Sequence, residues 1–249
     1  MTSSDKKIIL VHGWGSSTKK LEKLKIALEK VGWECFSPKL PGFEVPAPAT
    51  AWGVTDYSKY VLAEGERVFR DKVFFIFGHS FGGMVAIRIG SNKNNKNIPG
   101  IILCGTNGIS RPPFLKRAFF YILAKLGKIF IVIPQSAKSF RKILYFFASG
   151  QDYIKTNDIM RDVFKKVISD DLKPEVSKLK IPVLIIWGEK DKATPVAAGR
   201  YINKVVRLSK LIVYSHGDHL IPYFMPCEIA KEIDEWYAKN FGIEREISL

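Results

Sequence analysis

The sequence predicts an α/β fold with a mostly parallel, doubly wound sheet and one inserted helical cap. Short runs of apolar, β-favouring residues recur along the 249 residues, and helical patterns separate most of them. These runs are almost continuously apolar, which is typical of parallel strands that helices cover on both faces. One long aromatic-rich stretch interrupts the alternation, and it predicts the cap.

Six runs are the predicted strands: residues 7–11, 33–38, 73–77, 98–104, 181–187 and 210–215. Helices are predicted between them, because apolar residues there recur at helical spacing. Thr194 and Pro195 are typical of an N-cap and a first helical residue, and Pro226 is predicted to open the last helix. The predicted apolar faces of the first and last helices are Leu21, Leu24, Leu28 and Val31, and Ile229, Ile233, Trp236 and Tyr237.

About 75 residues separate the fourth and fifth strands, too many for one crossover helix. We therefore predict a core formed by residues 1–110 and 179–249, with a helical cap over residues 111–178. The cap should lie over the carboxyl edge of the sheet, where α/β proteins bind ligands.

The net charge of +15 favours a lysine-rich solvated surface, because the lysines are spread along the chain and no nucleic-acid-binding motif is present. The charge is densest near the cap, where residues 111–180 contain 15 Lys and Arg against 6 Asp and Glu. Membrane-surface contact through this basic cap is an alternative that we favour less. We expect a cytoplasmic protein, because the chain has three widely spaced cysteines, no leader pattern and no apolar run of membrane length.

The strongest chemical motif is the run GHSFGG at residues 78–83, which follows a predicted strand and opens a helix. A sharp strand-to-helix turn leaves no room for side chains at Gly78 and Gly82. It also lifts the hydroxyl of Ser80 clear of the backbone, while the N–H of Phe81 can face a developing oxyanion. In this context the motif predicts that Ser80 is a nucleophile.

The run HGWG at residues 12–15 follows the first strand and can supply a second oxyanion donor. We assign this donor to the backbone N–H of Trp14. For His12 we expect a structural role that braces the loop.

A serine nucleophile needs a base, and the chain has four histidines. His12 belongs to the oxyanion loop, and the side chain of His79 is expected to point away from the nucleophile. His216 and His219 follow the last strand. We choose His219, which lies further into the loop, and keep His216 as the alternative.

Asp191 is the predicted acid that orients the base, because it follows the fifth strand at the carboxyl edge of the sheet. Glu189 is the alternative, although a solvated turn position suits it better. Asp218 is disfavoured because neighbouring side chains diverge. The fourth strand ends in the run GTN at residues 105–107, which contains no acid.

With these residues in place, the chain resembles the α/β-hydrolase superfamily from Lys7 to Phe241. The matching segments are the loop at residues 12–15, the run LPG at residues 40–42, the Ser80 turn, the Asp191 turn and the His219 loop. The order serine, aspartate, histidine along the chain is also that of the superfamily. Compact capped members such as carboxylesterases are the most similar, and the resemblance implies a helical cap that shapes the acyl pocket.

Haloalkane dehalogenases and epoxide hydrolases of this fold use an aspartate where this chain has Ser80. A serine forms an acyl-enzyme, which suits esters of small or medium acyl and aryl groups. We therefore predict a serine hydrolase of the carboxylesterase type that acts on small-molecule esters without a cofactor or metal. Alternatives are a thioesterase, lactonase, C–C bond hydrolase or perhydrolase with the same triad, or a relative that binds a ligand without turnover.

Overall fold

A computed structural model describes residues 6–70, 72–109 and 158–242, the side chain of Asp158 excepted. All six predicted strands are confirmed, with ends that shift by up to three residues. They are β1 Lys7–Val11, β2 Glu34–Phe36, β3 Phe75–His79, β4 Ile101–Cys104, β5 Val183–Gly188 and β6 Ser209–Tyr214. The described helices are a 3₁₀ helix Thr18–Leu21, α1 Glu22–Lys30, α2 Val54–Phe69, α3 Phe81–Gly90, α4 Asp158–Ser169, α5 Lys173–Lys178, α6 Ala197–Val205, α7 Ile221–Phe224 and α8 Pro226–Phe241.

The strands form one sheet in the order β2-β1-β3-β4-β5-β6, and every neighbouring pair is parallel. The chain steps from β1 outward to β2 and then returns to place β3 on the other side of β1. This reversal of direction opens a crevice at the carboxyl ends of β1 and β3, the position at which open α/β sheets bind ligands.

Helices cover both faces of the sheet and form two apolar layers. Along β1, Ile9 and Val11 join the layer beneath α2 and α3, whereas Ile8 and Leu10 join the layer beneath α1 and α8. Residues 8–11 of β1 are fully buried on both faces, as the unbroken apolar run predicted. The two layers make the sheet a rigid base for the loops at its carboxyl edge.

Two details of the predicted helices differ from the structure. Val31 follows the end of α1 and is 39% exposed, because the chain turns there toward β2. Thr194 and Pro195 do not open a helix, since α6 begins at Ala197. The last helix does begin at Pro226 with the predicted apolar face buried.

Most of the predicted cap, residues 111–157, lies outside the described residues. Its described end forms α4 and α5, and α4 packs against the core through Met160, Val163 and Val167. Throughout the described ranges, no helix combines the length and apolar character needed to cross a bilayer.

Candidate active site

The loops that follow the strands carry the predicted site residues to one edge of the sheet. His12 follows β1, Ser80 follows β3, Asp191 follows β5 and His219 follows β6. Ser80 and His219 line a shared cavity of about 550 Å³. Described residues in its wall include Trp14, Ser80, His219, Leu220, Tyr223 and Phe224.

Ser80 occupies a strained turn between β3 and α3. Its φ is 52° and its ψ is −109°, a conformation that L residues rarely adopt and that costs about 1–3 kcal/mol. A Cβ at Gly78 would collide with the carbonyl of Gly82, and one at Gly82 would collide with the carbonyl of Val11. The turn therefore requires glycine at both positions, as the sequence predicted. The N–H of Ser80 donates to the carbonyl of Cys104, at 2.9 Å, which anchors the turn to β4.

Asp191 and His219 are brought together from different loops. Nδ1 of His219 lies 2.8 Å from Oδ2 of Asp191, and the Asp191 side chain is completely buried. Because a carboxylate only accepts hydrogen bonds, Nδ1 carries the hydrogen, and the neutral ring keeps its lone pair on Nε2. This is the orientation that a general base for a serine requires.

Thr194 completes the surroundings of the Asp191 carboxylate. Its N–H donates to Oδ1 at 2.8 Å, and its hydroxyl lies 2.7 Å from Oδ2 and 3.0 Å from the carbonyl oxygen of Gly105. Burial by itself raises the pKa of Asp191, but the hydrogen bonds from His219 and Thr194 outweigh it and lower that pKa below its ordinary value. Asp191 is therefore an anion at neutral pH.

The alternative residues lie elsewhere. His216 is exposed to solvent, whereas His219 is only 8% exposed. Glu189 pairs with Arg200 at the surface, with 3.0 Å between Oε2 and Nη2. Asp218 is exposed, and its carboxylate accepts the N–H of Leu220. The geometry thus pairs His219 with Asp191.

The expectation that His79 points away from the site is wrong. Its ring lies 4.8 Å from the ring of His219, and its Nε2 is 2.8 Å from the carbonyl oxygen of His219. Since a carbonyl cannot donate, Nε2 carries the hydrogen and Nδ1 accepts from the hydroxyl of Tyr223, at 3.0 Å. That hydroxyl is 3.2 Å from the hydroxyl of Ser16. The His79 ring therefore links the His219 loop to α7 and to the loop after β1.

His79 remains neutral across the physiological pH range. Burial of its ring, together with repulsion from His219 when that ring is protonated, lowers its pKa from 6.5 to about 3. A neutral ring suits the hydrogen bonds above, because one nitrogen donates and the other accepts.

The two predicted oxyanion donors belong to residues near the nucleophile: Trp14 lines the same cavity as Ser80, and Phe81 directly follows it. Phe81 is the first residue of α3, so no earlier turn of the helix accepts its N–H. Gly13 packs so closely against the elbow that a Cβ there would lie 3.3 Å from Cβ of Ser80. The Trp14 ring is held by Phe43, Phe81 and Phe164, at centroid distances of 5.0, 5.6 and 5.1 Å.

His12 braces the loop from below, as predicted. Its ring is fully buried, with Nδ1 2.8 Å from the carbonyl oxygen of Gly13 and Nε2 3.3 Å from a carboxylate oxygen of Glu44. Thr18 donates its N–H and its hydroxyl to the same carboxylate, both at 2.8 Å. Burial raises the pKa of Glu44, but the close contact with His12 and the two hydrogen bonds from Thr18 lower it to about 2.

Sequence reasoning missed the roles of Thr194, Tyr223 and Glu44 in these contacts. The proline after Thr194 suggested a helix cap. The only local signal for the contact between Thr194 and Asp191 was their separation of three residues. Tyr223 and Glu44 gave no signal, since their partners lie far away in the chain. Among the residues that the structure describes, no cluster of three or more His, Cys, Asp or Glu side chains is arranged to hold a metal ion.

Comparison with known proteins supports the same fold. The protein YisY of the AB hydrolase superfamily from Bacillus subtilis is 24% identical over 85% of this chain and 84% of its own. A pimeloyl-[acyl-carrier protein] methyl ester esterase from Neisseria meningitidis is 24% identical over 88% of each chain. A solved thermophilic esterase from Thermogutta terrifontis superposes with a TM-score of 0.69 at 18% identity, covering 94% of this chain and 89% of that one.

The model of the alpha/beta hydrolase family matches residues 8–232, a range that contains the whole sheet except Lys7 and all the loops described above. The chain therefore belongs to the alpha/beta hydrolase family.

Proposed function

We propose that this protein is a serine hydrolase that cleaves carboxylic esters of small or medium acyl and aryl groups through an acyl-enzyme. The single observation that carries the proposal is the cavity in which Ser80, on its strained turn, faces the same space as His219, whose Nδ1 is held by Asp191 at 2.8 Å. A nucleophile, a base and an orienting acid on three separate loops are the set that acyl transfer requires.

In this mechanism, Nε2 of His219 removes the proton from the Ser80 hydroxyl as its oxygen attacks the ester carbonyl. Asp191 keeps the imidazole in the productive tautomer and stabilises the imidazolium that forms. The leaving alcohol takes its proton from His219. Water, activated by the same nitrogen, then attacks the acyl-enzyme and releases the acid together with free Ser80.

The N–H groups of Phe81 and Trp14 are the proposed donors to the oxyanion. They lie at the start of a helix and in a loop packed against the turn, so they need no rearrangement when charge develops. His79 supports the base from behind through the carbonyl of His219. We assign His79 a positioning role, because its ring is neutral and both of its nitrogens already have partners.

Ester hydrolysis is preferred over the other reactions of such a triad because relatives with an esterase name, such as the one from Neisseria meningitidis, match along most of the chain. A thioesterase, a lactonase, a C–C bond hydrolase or a perhydrolase would use the same serine nucleophile. Substrate profiling therefore distinguishes these activities from ester hydrolysis. The proposed cap over residues 111–178 would close the acyl side of the pocket.

The test is hydrolysis of 4-nitrophenyl esters from two to twelve acyl carbons by wild type and Ser80→Ala, with Ser177→Ala as the matched control on the exposed face of α5. We expect turnover in wild type and in Ser177→Ala, and loss of at least about 10⁴-fold in Ser80→Ala. A fluorophosphonate should label wild type and fail to label Ser80→Ala. Undiminished hydrolysis or labelling in the folded Ser80→Ala protein would refute the assignment.

A further inference from the structure

One wall of the Ser80 cavity is basic. Lys19, Lys20 and Lys23 line it, and the described lining contains no aspartate or glutamate. Three cations beside a nucleophile create a positive potential inside a concave site, and such a potential attracts an anionic ligand.

The three lysines share one face because of the local helical structure. The 3₁₀ helix Thr18–Leu21 leads directly into α1, so side chains three and four positions apart are neighbours. Leu21 and Leu24 occupy the opposite face and are fully buried in the core. Burial of these leucines thus fixes the direction in which Lys19, Lys20 and Lys23 project.

No carboxylate of the described chain pairs with these three lysines. Lys25 is different: it lies 3.9 Å from Glu22 and 3.7 Å from Glu29 on the same helix. Glu44, which contacts the start of the same 3₁₀ helix, is occupied by Thr18 and His12. Like charges on one helix face destabilise it slightly, so the arrangement favours a ligand that supplies the missing negative charge.

Another part of the cavity wall is apolar. Leu220 and Phe224 also line it, and Phe224 is 75% exposed although it is a large hydrophobic residue. An apolar wall and a basic wall beside one nucleophile match a ligand with a hydrocarbon part and a charged end.

We propose that the cavity binds an ester that carries an anionic group, a carboxylate or a phosphate, at the end remote from the scissile bond, and that Lys19, Lys20 and Lys23 hold this group. This inference rests on the proposed function, because it concerns the substrate of the same site. It identifies the substrate as an amphiphilic small molecule with a fixed negative charge.

The test compares two six-carbon esters that differ in one end group: the mono-4-nitrophenyl ester of adipic acid and 4-nitrophenyl hexanoate. The triple variant Lys19→Gln, Lys20→Gln, Lys23→Gln removes the basic wall. The matched control replaces Lys30, Lys93 and Lys96 by Gln, which removes the same charge from exposed positions outside the cavity. A third protein with arginine at positions 19, 20 and 23 keeps the charge.

In wild type we expect the ratio of kcat/KM for the adipate ester to that for the hexanoate ester to fall as NaCl is raised. The ratio should fall on the order of tenfold in the glutamine triple, since exposed ion pairs are individually weak. The control triple and the arginine triple should keep the wild-type ratio. An unchanged ratio in the glutamine triple, or an equal fall in the control triple, would overturn the proposal.

A binding measurement separates this inference from the proposed function. Calorimetry on folded Ser80→Ala protein with adipate and with inorganic phosphate measures the anion site without turnover, and the tighter ligand identifies the preferred group. Adipate or phosphate binding that disappears in the glutamine triple supports the basic site even if Ser80 proves not to be a nucleophile. If ester hydrolysis depends on Ser80 but neither adipate nor phosphate binds, the basic site is refuted and the proposed function is not.

Discussion

Two groups at the same edge of the sheet each combine a buried histidine, an acid and a threonine. In one, His219 contacts Asp191 at 2.8 Å, and Thr194 donates to the carboxylate. In the other, His12 lies 3.3 Å from Glu44, and Thr18 donates to that carboxylate. In both groups, hydrogen bonds lower the pKa of the acid.

The difference lies in what the second ring nitrogen can reach. His219 lines the cavity together with Ser80. His12 is fully buried, and its Nδ1 faces the carbonyl oxygen of Gly13, so no part of its ring faces the cavity. A histidine with an acid and a threonine is therefore not by itself a catalytic group. Access of the remaining nitrogen to the cavity distinguishes His219, the proposed base, from His12, which braces a loop.

The largest expected effect is a difference in activity between a variant of Asp191 and a variant of Glu44. Asp191→Asn should lower kcat by about 10⁴-fold, because an amide favours the wrong imidazole tautomer and no longer stabilises the imidazolium. Glu44→Gln should lower kcat by less than about tenfold, since Glu44 acts only through the loop. Steady-state hydrolysis of a 4-nitrophenyl ester by both folded proteins measures this, and similar losses would make the two groups equivalent.

The free energy of unfolding should fall when Glu44 loses its charge. Glu44→Gln weakens the charge-assisted hydrogen bonds from the N–H and hydroxyl of Thr18, and bonds of this kind to a charged group are worth about 1.5–3 kcal/mol. Urea unfolding at pH 7 should show a free energy of unfolding lower by roughly that amount. The pKa of Glu44 is lowered, so this stability is present above pH 4.5 and is lost as pH falls toward about 2. Equal stability of the two proteins at pH 7 would contradict a bracing role.

The two threonines give a finer comparison. Thr194→Val removes a hydroxyl that lies 2.7 Å from Asp191, and we expect kcat to fall about tenfold as the carboxylate loses a partner. Thr18→Val removes the matching hydroxyl at Glu44 and should leave kcat within about twofold. If the two variants lose activity to the same extent, the activity depends on loop rigidity and not on orientation of the base.

The last expected effect is a pH dependence of stability, and it concerns His79, the third buried histidine. Its pKa is about 3 in the folded protein, against 6.5 ordinarily, so between these values the unfolded chain binds a proton that the folded chain does not. Stability should therefore fall as pH decreases below about 6.5, with a limiting slope of about 1.4 kcal/mol per pH unit. His79→Gln should flatten this slope in urea unfolding between pH 7 and pH 5. Parallel slopes in the two proteins would argue against a neutral buried ring.

Local sequence predicted the parts of the site that depend on local geometry. The glycines around Ser80 predicted a turn without room for side chains, and collisions at Gly78 and Gly82 explain why. His79 was misjudged, because a position in a motif does not reveal which distant carbonyl a ring reaches. The start of α6 was misjudged for a related reason: Asp191 and Gly105 engage Thr194, and the helix begins later.

The sequence by itself determined the six parallel strands, the turn at Ser80, and the order in which serine, aspartate and histidine reach the carboxyl edge. These features follow from apolar runs and from steric limits on neighbouring residues, which are short-range. Only the tertiary structure decided that His219 and not His216 meets Asp191, that His79 holds the His219 loop, and that three lysines face the cavity. Those contacts join residues on separate loops, and their geometry depends on how the whole sheet packs.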